Sequence, residues 1–322
     1  MKKVLYIVIP CYNEEEVLNE TARQLLAKLE NLEEKISIDS RIVFVNDGSK
    51  DRTWQIICEL HQNNSIYSGI NLSRNRGHQN ALLAGLMTVK DHCDMVISMD
   101  ADLQDDIQAI DEMVNKYYEG YDIVYGVRSK RDSDTFFKRI TAESFYKLMS
   151  KLGADTIYNH ADYRLMSKRA LEGLAEFKEV NLFLRGIVPM IGYPATTVSY
   201  VRNERFAGES KYPLKRMLAF AFEGITSLST KPIKMIVALG SLIFMISILM
   251  LIWSIIGYFQ GITVPGWASL MVSVWGIGGI LILSIGIVGE YVGKIYLETK
   301  ERPRYIIESF IHNDTNDEKL DS

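Results

Sequence analysis

Met95-Val96-Ile97-Ser98-Met99-Asp100-Ala101-Asp102-Leu103-Gln104-Asp105 runs as an apolar segment and stops abruptly at two carboxylates. A run without polar alternation is the pattern of a strand covered on both faces. Side chains two apart share one side of an extended backbone, so Asp100 and Asp102 converge beyond the strand's end. Such a pair suits a hard divalent cation, which prefers oxygen ligands and keeps water and substrate phosphate in its shell. The same acids would equally form a solvated turn capping a helix that starts near Asp105 or Asp106. The rest of the chain has to decide between the two.

Upstream, residues 4–9 form a second apolar run, ended by Pro10; Val17, Leu18, Ala22, Leu25, Leu26 and Leu29 then recur at helical spacing. The pattern predicts further strands over 42–45, 66–72, 121–127 and 195–201. Helices are predicted from about Asp51, over 77–89 and over 107–118, while 203–212 reads as a loop. Strands alternating with helices across short turns predict a parallel, doubly wound sheet. In open sheets of this kind, ligands bind beyond the carboxyl ends of the strands. Here those ends carry Pro10-Cys11-Tyr12-Asn13-Glu14, Asn46-Asp47-Gly48-Ser49, Ser73-Arg74-Asn75-Arg76-Gly77, Asp100-Ala101-Asp102 and Gly126-Val127-Arg128. These clusters are expected to line one cleft.

The 322 residues carry a net charge of −4, which offers no basic excess for nucleic acid. Cys11, Cys58 and Cys93 lack metal-site or disulfide spacing, and a reducing compartment fits them. Neither a dinucleotide-binding glycine fingerprint nor a P-loop appears, so something other than a glycine-rich loop must hold any phosphate.

Composition changes sharply further on. Residues 235–259 and 267–289 hold no charge, and each passes the roughly 20 apolar residues needed to cross a hydrocarbon core of about 30 Å. Their short uncharged linker contains Pro265, which predicts a hairpin through the bilayer. Lys231 and Lys234 precede it, and Lys294, Lys300, Arg302 and Arg304 follow it, placing both ends in the cytoplasm. Between them and the sheet, Lys215 and Arg216 stand beside Leu214, Met217, Leu218, Phe220 and Phe222, the pattern of a helix lying in the headgroup plane. Gly276, Gly278, Gly279, Gly286 and Gly289 permit close helix approach, either inside the hairpin or between copies in a homo-oligomer. The polar, acidic end 313–322 reads as disordered.

The segments Val8-Ile9-Pro10-Cys11-Tyr12-Asn13-Glu14, Val45-Asn46-Asp47-Gly48-Ser49-Lys50-Asp51, Asn75-Arg76-Gly77 and Asp100-Ala101-Asp102-Leu103-Gln104 together resemble the inverting family-two glycosyltransferases. With Asp162-Tyr163-Arg164-Leu165, the loop 205–212, the apolar pair and Gly289-Glu290-Tyr291-Val292-Gly293-Lys294 added, the chain is similar to the bacterial polyisoprenyl-phosphate glycosyltransferases, the bactoprenol glucosyltransferase group. The resemblance spans residues 4–304. It implies an α/β A-type glycosyltransferase domain, Rossmann-like with a mostly parallel sheet, over 1–212 at the cytoplasmic face of the bacterial inner membrane. An amphipathic interfacial helix over 213–232, a transmembrane hairpin over 233–289 and a C-terminal helix with a disordered tail over 290–322 complete the expected layout.

The resemblance further implies a nucleotide-sugar donor, most often UDP-linked, and a polyisoprenyl-phosphate acceptor in the lipid bilayer. Pro10, Tyr12 and Glu14 match positions at the base and ribose, Asp47 matches the acid that holds the nucleoside, and Gly77 falls in a donor-side motif. Without the resemblance, Asp47 reads nearly as well as a turn former in Asn-Asp-Gly-Ser. Asp100 and Asp102, with Gln104 as a third oxygen ligand, match the site of Mg2+ or Mn2+ and the diphosphate. The family often has Pro-Pro further along this element, whereas Asp105-Asp106-Ile107 follows Gln104 here. Arg128 and Arg139, with Arg131 behind them, match acceptor-phosphate arginines, a role that suits the planar guanidinium fork. Asp162 and Arg164 match an element beneath the active site, which an internal salt bridge explains nearly as well. Arg205 and Lys211 are expected to close a loop over the donor.

The implied reaction is one in-line displacement at the anomeric carbon by a lipid phosphate oxygen. A phosphate monoester has a second pKa near about 6 and is largely dianionic at neutral pH, so base assistance from Asp102 or Asp162 is optional. His78 and His160 read as ordinary hydrogen-bonding residues. A processive polysaccharide synthase would need Gln-x-x-Arg-Trp, yet none of Trp54, Trp253, Trp267 and Trp275 follows an arginine. A non-catalytic membrane adaptor would have no use for Asp100, Asp102 and Arg128 together. Glucose is the favoured sugar over GlcNAc, galactose or mannose, a choice set by hydroxyl contacts that motifs do not encode.

Overall fold

The computed structural model describes residues 2–129, 160–180, 183–201, 231–260 and 266–312. The described residues divide into two compact units: residues 231–260 and 266–301 form one, and the remainder forms the other. In the larger unit, β1 (Leu5–Cys11) leads to α1 (Leu18–Asn31), β2 (Arg41–Asn46) to α2 (Thr53–Asn63), and β3 (Tyr67–Leu72) to α3 (His78–Val89). β4 (Met95–Ser98), α4 (Ala109–Tyr118) and β5 (Ile123–Arg128) continue the alternation. β6 (His160–Ser167), α5 (Lys168–Ala175), α6 (Leu184–Met190) and β7 (Ala195–Tyr200) follow.

These strands form one sheet in the order β7-β5-β6-β4-β1-β2-β3, and a last strand, β8 (Ile307–Ile311), closes the β3 edge. Every pairing is parallel except those of β6 and β8. Alternate residues feed two cores. Leu5, Ile7 and Ile9 of β1 face α1, α2 and α4, while Tyr6 and Val8 face α3, α5 and α6. Burial on both sides is why the strands read as continuous apolar runs. Gly85 lets α3 lie close on the sheet, since a Cβ there would come within 2.4 Å of Val8.

Three expectations need correction. The first strand passes through Pro10 instead of ending there: β4 last pairs with β1 at Val8, so the donor that proline lacks breaks no bond to β4. An unexpected antiparallel strand, β6, separates β4 from β5, carrying Asp162 and Arg164 in its midst. The segment 290–322 is not simply helix and tail. It leaves the second unit near Glu301, at φ +47°, and re-enters the sheet as β8, where Phe310 pairs with Ile70.

The second unit holds two long helices in contact, α7 (Lys231–Phe259) and α8 (Trp267–Thr299). Among the described residues one stretch, Gly276–Thr299, is long and apolar enough to cross a membrane, and Ile233–Ile243 is a shorter apolar helix. The qualifying stretch runs past Gly289, where the uncharged run ends, because nothing breaks the helix before Thr299. Among the described residues, a Cβ on Gly276, Gly278, Gly279, Gly286 or Gly289 would meet nothing within 4 Å. The expected interfacial helix falls outside the described residues, apart from its last two positions, which open α7.

Candidate active site

All parallel strands point their carboxyl ends to one edge, and antiparallel β6 starts there, so Asp162 joins the predicted clusters. The loops at this edge are tied to one another by their own polar groups. Asn13 N–H donates to Ser49 Oγ at 3.0 Å, and Lys50 N–H donates to Asn13 Oδ1 at 2.9 Å. Asp47, 2% exposed, accepts from the backbone N–H groups of Arg76 (2.6 Å) and Gly77 (2.9 Å), one on each carboxylate oxygen. Burial raises its pKa against the pull of those amides. Its observed work is therefore to pin the turn before α3. Gly48 lies against that turn at φ +60°, with 2.5 Å from a would-be Cβ to Asn75 N.

The acid pair sits where the sequence places it, just past β4. Thr21 Oγ1 on α1 donates to the Ala101 carbonyl at 2.8 Å and so holds the peptide between the two acids. Leu103, buried, takes a left-handed φ of +56°, a conformation costing roughly 1–2 kcal/mol for a residue with a Cβ. The helix-capping alternative does not describe this pair. Asp106 Oδ1 accepts from Gln108 N–H at 2.9 Å immediately before α4, whereas Asp102 Oδ1 accepts from Gln104 N–H at 3.2 Å inside the loop.

Asp100 lies 3.5 Å from His78 Nε2, which is also 3.7 Å from Asp162. Although 39% of its side chain is open to the cleft, desolvation by the surrounding protein raises the Asp100 pKa, and Asp162 and Asp102 add like charge. Asp162 behaves oppositely. Burial pushes its carboxyl up, but Arg185 and Arg164 outweigh that and hold it well below the usual carboxylate range. Both oxygens are occupied, Oδ1 by Arg164 Nη2 at 2.7 Å and Oδ2 by Arg185 Nη2 at 3.0 Å. Such a carboxylate is held as a counter-ion to the two arginines.

Arg128 ends β5 opposite Tyr200 of β7, and its Nε donates to the Tyr200 hydroxyl at 3.3 Å. Of the remaining predicted residues, Pro10 is buried within β1, Tyr12 is 42% exposed beyond it, and Glu14 N–H donates to Thr53 Oγ1 at 2.9 Å. Gly77, at φ +84°, precedes α3. Arg131, Arg139, Arg205 and Lys211 lie outside the described residues. Sequence reasoning missed Arg185, Tyr200 and the contact of His78 with the acids. Arg185 had a signal, being a lone cation in the apolar run Phe183-Leu184-Arg185-Gly186-Ile187-Val188.

Among the described residues, no three His, Cys, Asp or Glu side chains gather as a metal cage. Mg2+ does not need one, since one or two carboxylates and substrate phosphates usually complete its shell. The oxygen-only donors Asp100, Asp102 and Gln104 fit a hard cation of that kind.

A nearly parallel sheet with an acid pair beyond its central strand, and no glycine-rich phosphate loop, is the A-type glycosyltransferase arrangement. Residues 6–174 match the family described as Glycosyl transferase family 2. The chain is 55% identical, over 97% of its length and 93% of the relative's, to a Bacillus subtilis (strain 168) protein described as uncharacterized glycosyltransferase YkoT. It is 41% identical, over 94% of its length and 98% of the relative's, to the bactoprenol glucosyl transferase of Shigella phage SfX. A similar solved structure is the mannosyltransferase PcManGT from Pyrobaculum calidifontis in complex with GDP-Man and Mn2+, at 16% identity and a TM-score of 0.45, covering 92% of this chain and 85% of that one. This chain belongs to glycosyl transferase family 2 and is a glycosyltransferase.

Proposed function

We propose that the protein transfers a hexosyl residue, glucose favoured, from a UDP-sugar to undecaprenyl phosphate at the cytoplasmic face of the bacterial membrane, with inversion. The likeness to the phage bactoprenol glucosyl transferase carries this reading: it covers 94% of the chain, and the remainder is shorter than either α7 or α8. The product would supply a lipid-linked sugar for modification of an envelope glycan. Both apolar runs, 235–259 and 267–289, would anchor it as a two-span hairpin, and copies would associate through the glycine face of α8.

In this reading, a lipid phosphate oxygen attacks the anomeric carbon while the bond to the UDP oxygen breaks, releasing UDP. Pro10, Tyr12 and Glu14 would line the nucleoside, and Asp47 would keep the Arg76–Gly77 turn in place beside it. Asp100, Asp102 and Gln104 would hold Mg2+ or Mn2+, whose chemistry there is Lewis-acid stabilisation of the leaving diphosphate. Arg128, with Arg139 and Arg131, would bind the acceptor phosphate, and Arg205 and Lys211 would cover the donor.

The test uses full-length protein in detergent with radiolabelled UDP-glucose, Mn2+ and undecaprenyl phosphate. Labelled lipid carrying one sugar is expected, and Asp102→Asn should slow its formation by at least about 100-fold, the scale of several kcal/mol of charge stabilisation. Folded protein that labels no lipid with any UDP-hexose refutes the reading. Full activity of Asp102→Asn refutes the metal assignment alone.

A further inference from the structure

Asp105 is 2% exposed, three residues beyond Asp102, yet its partner lies across the sheet on β7. The Tyr200 hydroxyl donates to Asp105 Oδ1 at 2.5 Å. A hydroxyl has one proton, so with that proton committed to Asp105 the Tyr200 oxygen faces Arg128 as an acceptor. Arg128 Nε supplies the matching donor at 3.3 Å, and Arg128 Nη2 stands 3.8 Å from Asp105 Oδ1. The chain of donation therefore has one direction, from Arg128 through Tyr200 to Asp105, and linked bonds of this kind strengthen one another in a low-dielectric setting.

Position fixes the rest. Tyr200 is in register with Arg128, and its carbonyl accepts from both Ser129 N–H (2.8 Å) and Ser129 Oγ (3.0 Å). Its ring meets Tyr163 edge-on at 5.2 Å, and the Tyr163 hydroxyl donates to the Asp106 carbonyl at 3.0 Å. Two tyrosines thus grip the loop that carries the acid pair, and one of them also holds Arg128. Asp105 Oδ2 has no hydrogen-bond partner among the described residues, and burying a carboxylate so sparsely bonded is costly. An apolar residue would serve the core better, and the acid is explained by what it does to Arg128.

We infer that Asp105 and Tyr200 are positioning residues that hold the Arg128 guanidinium where it meets the acceptor phosphate, joining the donor-side loop to the acceptor side. This rests on the reading of Arg128 as an acceptor contact. The wild-type full-length protein, Arg128→Ala, Tyr200→Phe and the double variant are compared with UDP-glucose, Mn2+ and undecaprenyl phosphate, each substrate varied in turn. Tyr200→Phe keeps the ring and loses only the hydroxyl. It is expected to raise the acceptor KM about 5- to 10-fold, the scale of one typical net hydrogen bond, with the donor KM within about twofold. Adding it to Arg128→Ala should change nothing further.

An unchanged acceptor KM in Arg128→Ala would overturn the underlying reading of Arg128. If Arg128→Ala raises that KM and Tyr200→Phe leaves it alone, raises both KM values alike, or adds its effect in the double variant, the positioning role is wrong. Should Tyr200→Phe fail to fold, Asp105→Leu, which removes the acceptor of the Tyr200 proton, carries the same comparison with the same outcomes.

Discussion

Replacing Asp162 with asparagine takes the carboxylate charge from between two arginines and leaves Arg164, 1% exposed, as an uncompensated buried cation. Arg164 Nε and Nη1 already lack hydrogen-bond partners among the described residues, so no second acceptor stands ready. Breaking a buried pair by removing one partner costs about 3–5 kcal/mol. Asparagine keeps one carbonyl acceptor, and Arg185 at 33% exposure can turn to water, so the lower end, about 3 kcal/mol, is expected. At about 2–4 °C per kcal/mol for a domain of this size, Tm should fall by about 6–12 °C. Thermal unfolding of the detergent-solubilised chain measures it.

The sign with pH follows from the depressed carboxyl. A folded pKa below the unfolded value of about 3.9 gives stability that is fully present above that value and disappears as pH falls through the folded one. The gap between wild type and variant should be complete at pH 7 and close only below about pH 4. Asp162→Leu combined with Arg164→Met removes both charges, and apolar replacement of a buried pair is often neutral or better. The double variant should therefore be more stable than Asp162→Asn. A Tm change under about 2 °C for the single variant, or a double variant no more stable than it, would refute the reasoning.

Two backbone predictions concern how the loops are held. Gly48→Ala and Gly77→Ala both force a side chain into positive φ, but only the first brings a Cβ to 2.5 Å from Asn75 N while the second meets open space. Denaturant unfolding should find Gly48→Ala worse by about 1–3 kcal/mol, the usual cost of overpacking. Thr21→Val keeps shape and deletes the hydroxyl that donates to Ala101. It should cost about 1–3 kcal/mol for the orphaned buried carbonyl, and raise the Mn2+ concentration needed for half-maximal activity, read by titrating the metal.

The first five strands were legible because burial on both faces leaves an unbroken apolar run, and a shift of one or two residues at their ends is all that the structure changes. β6 was not legible. Asp162 and Arg164, two apart on one face, interrupt its apolar pattern, and their ion pair, with Arg185 on the second carboxylate oxygen, is invisible in one dimension. β8 escaped for a different reason: Ile307-Glu308-Ser309-Phe310-Ile311 is a short edge strand whose partner is β3, distant in sequence. At the site, the acids past β4 declared themselves by spacing. Arg185 and Tyr200 did not, since each acquires its meaning from a partner on another element, Asp162 at 3.0 Å and Asp105 at 2.5 Å.

The strand-end clusters divide into two kinds of polar residue, and the division decides what each can offer a ligand. Asn13, Asn46, Asp47, Ser49, Asp51 and Thr53 hold neighbouring loops through hydrogen bonds of 2.6–3.2 Å. A residue so committed presents a fixed backbone more than a reactive side chain. Asp100 differs, because the half-exposed His78 stands 3.5 Å away, longer than an ordinary hydrogen bond. Like charge from Asp102 and Asp162 crowds it as well. A carboxylate raised by its surroundings, open to the cleft and poorly neutralised by them gains most from an incoming cation. That asymmetry, rather than the Asp-x-Asp spacing by itself, marks the position after β4 as a place where an added cation is favoured.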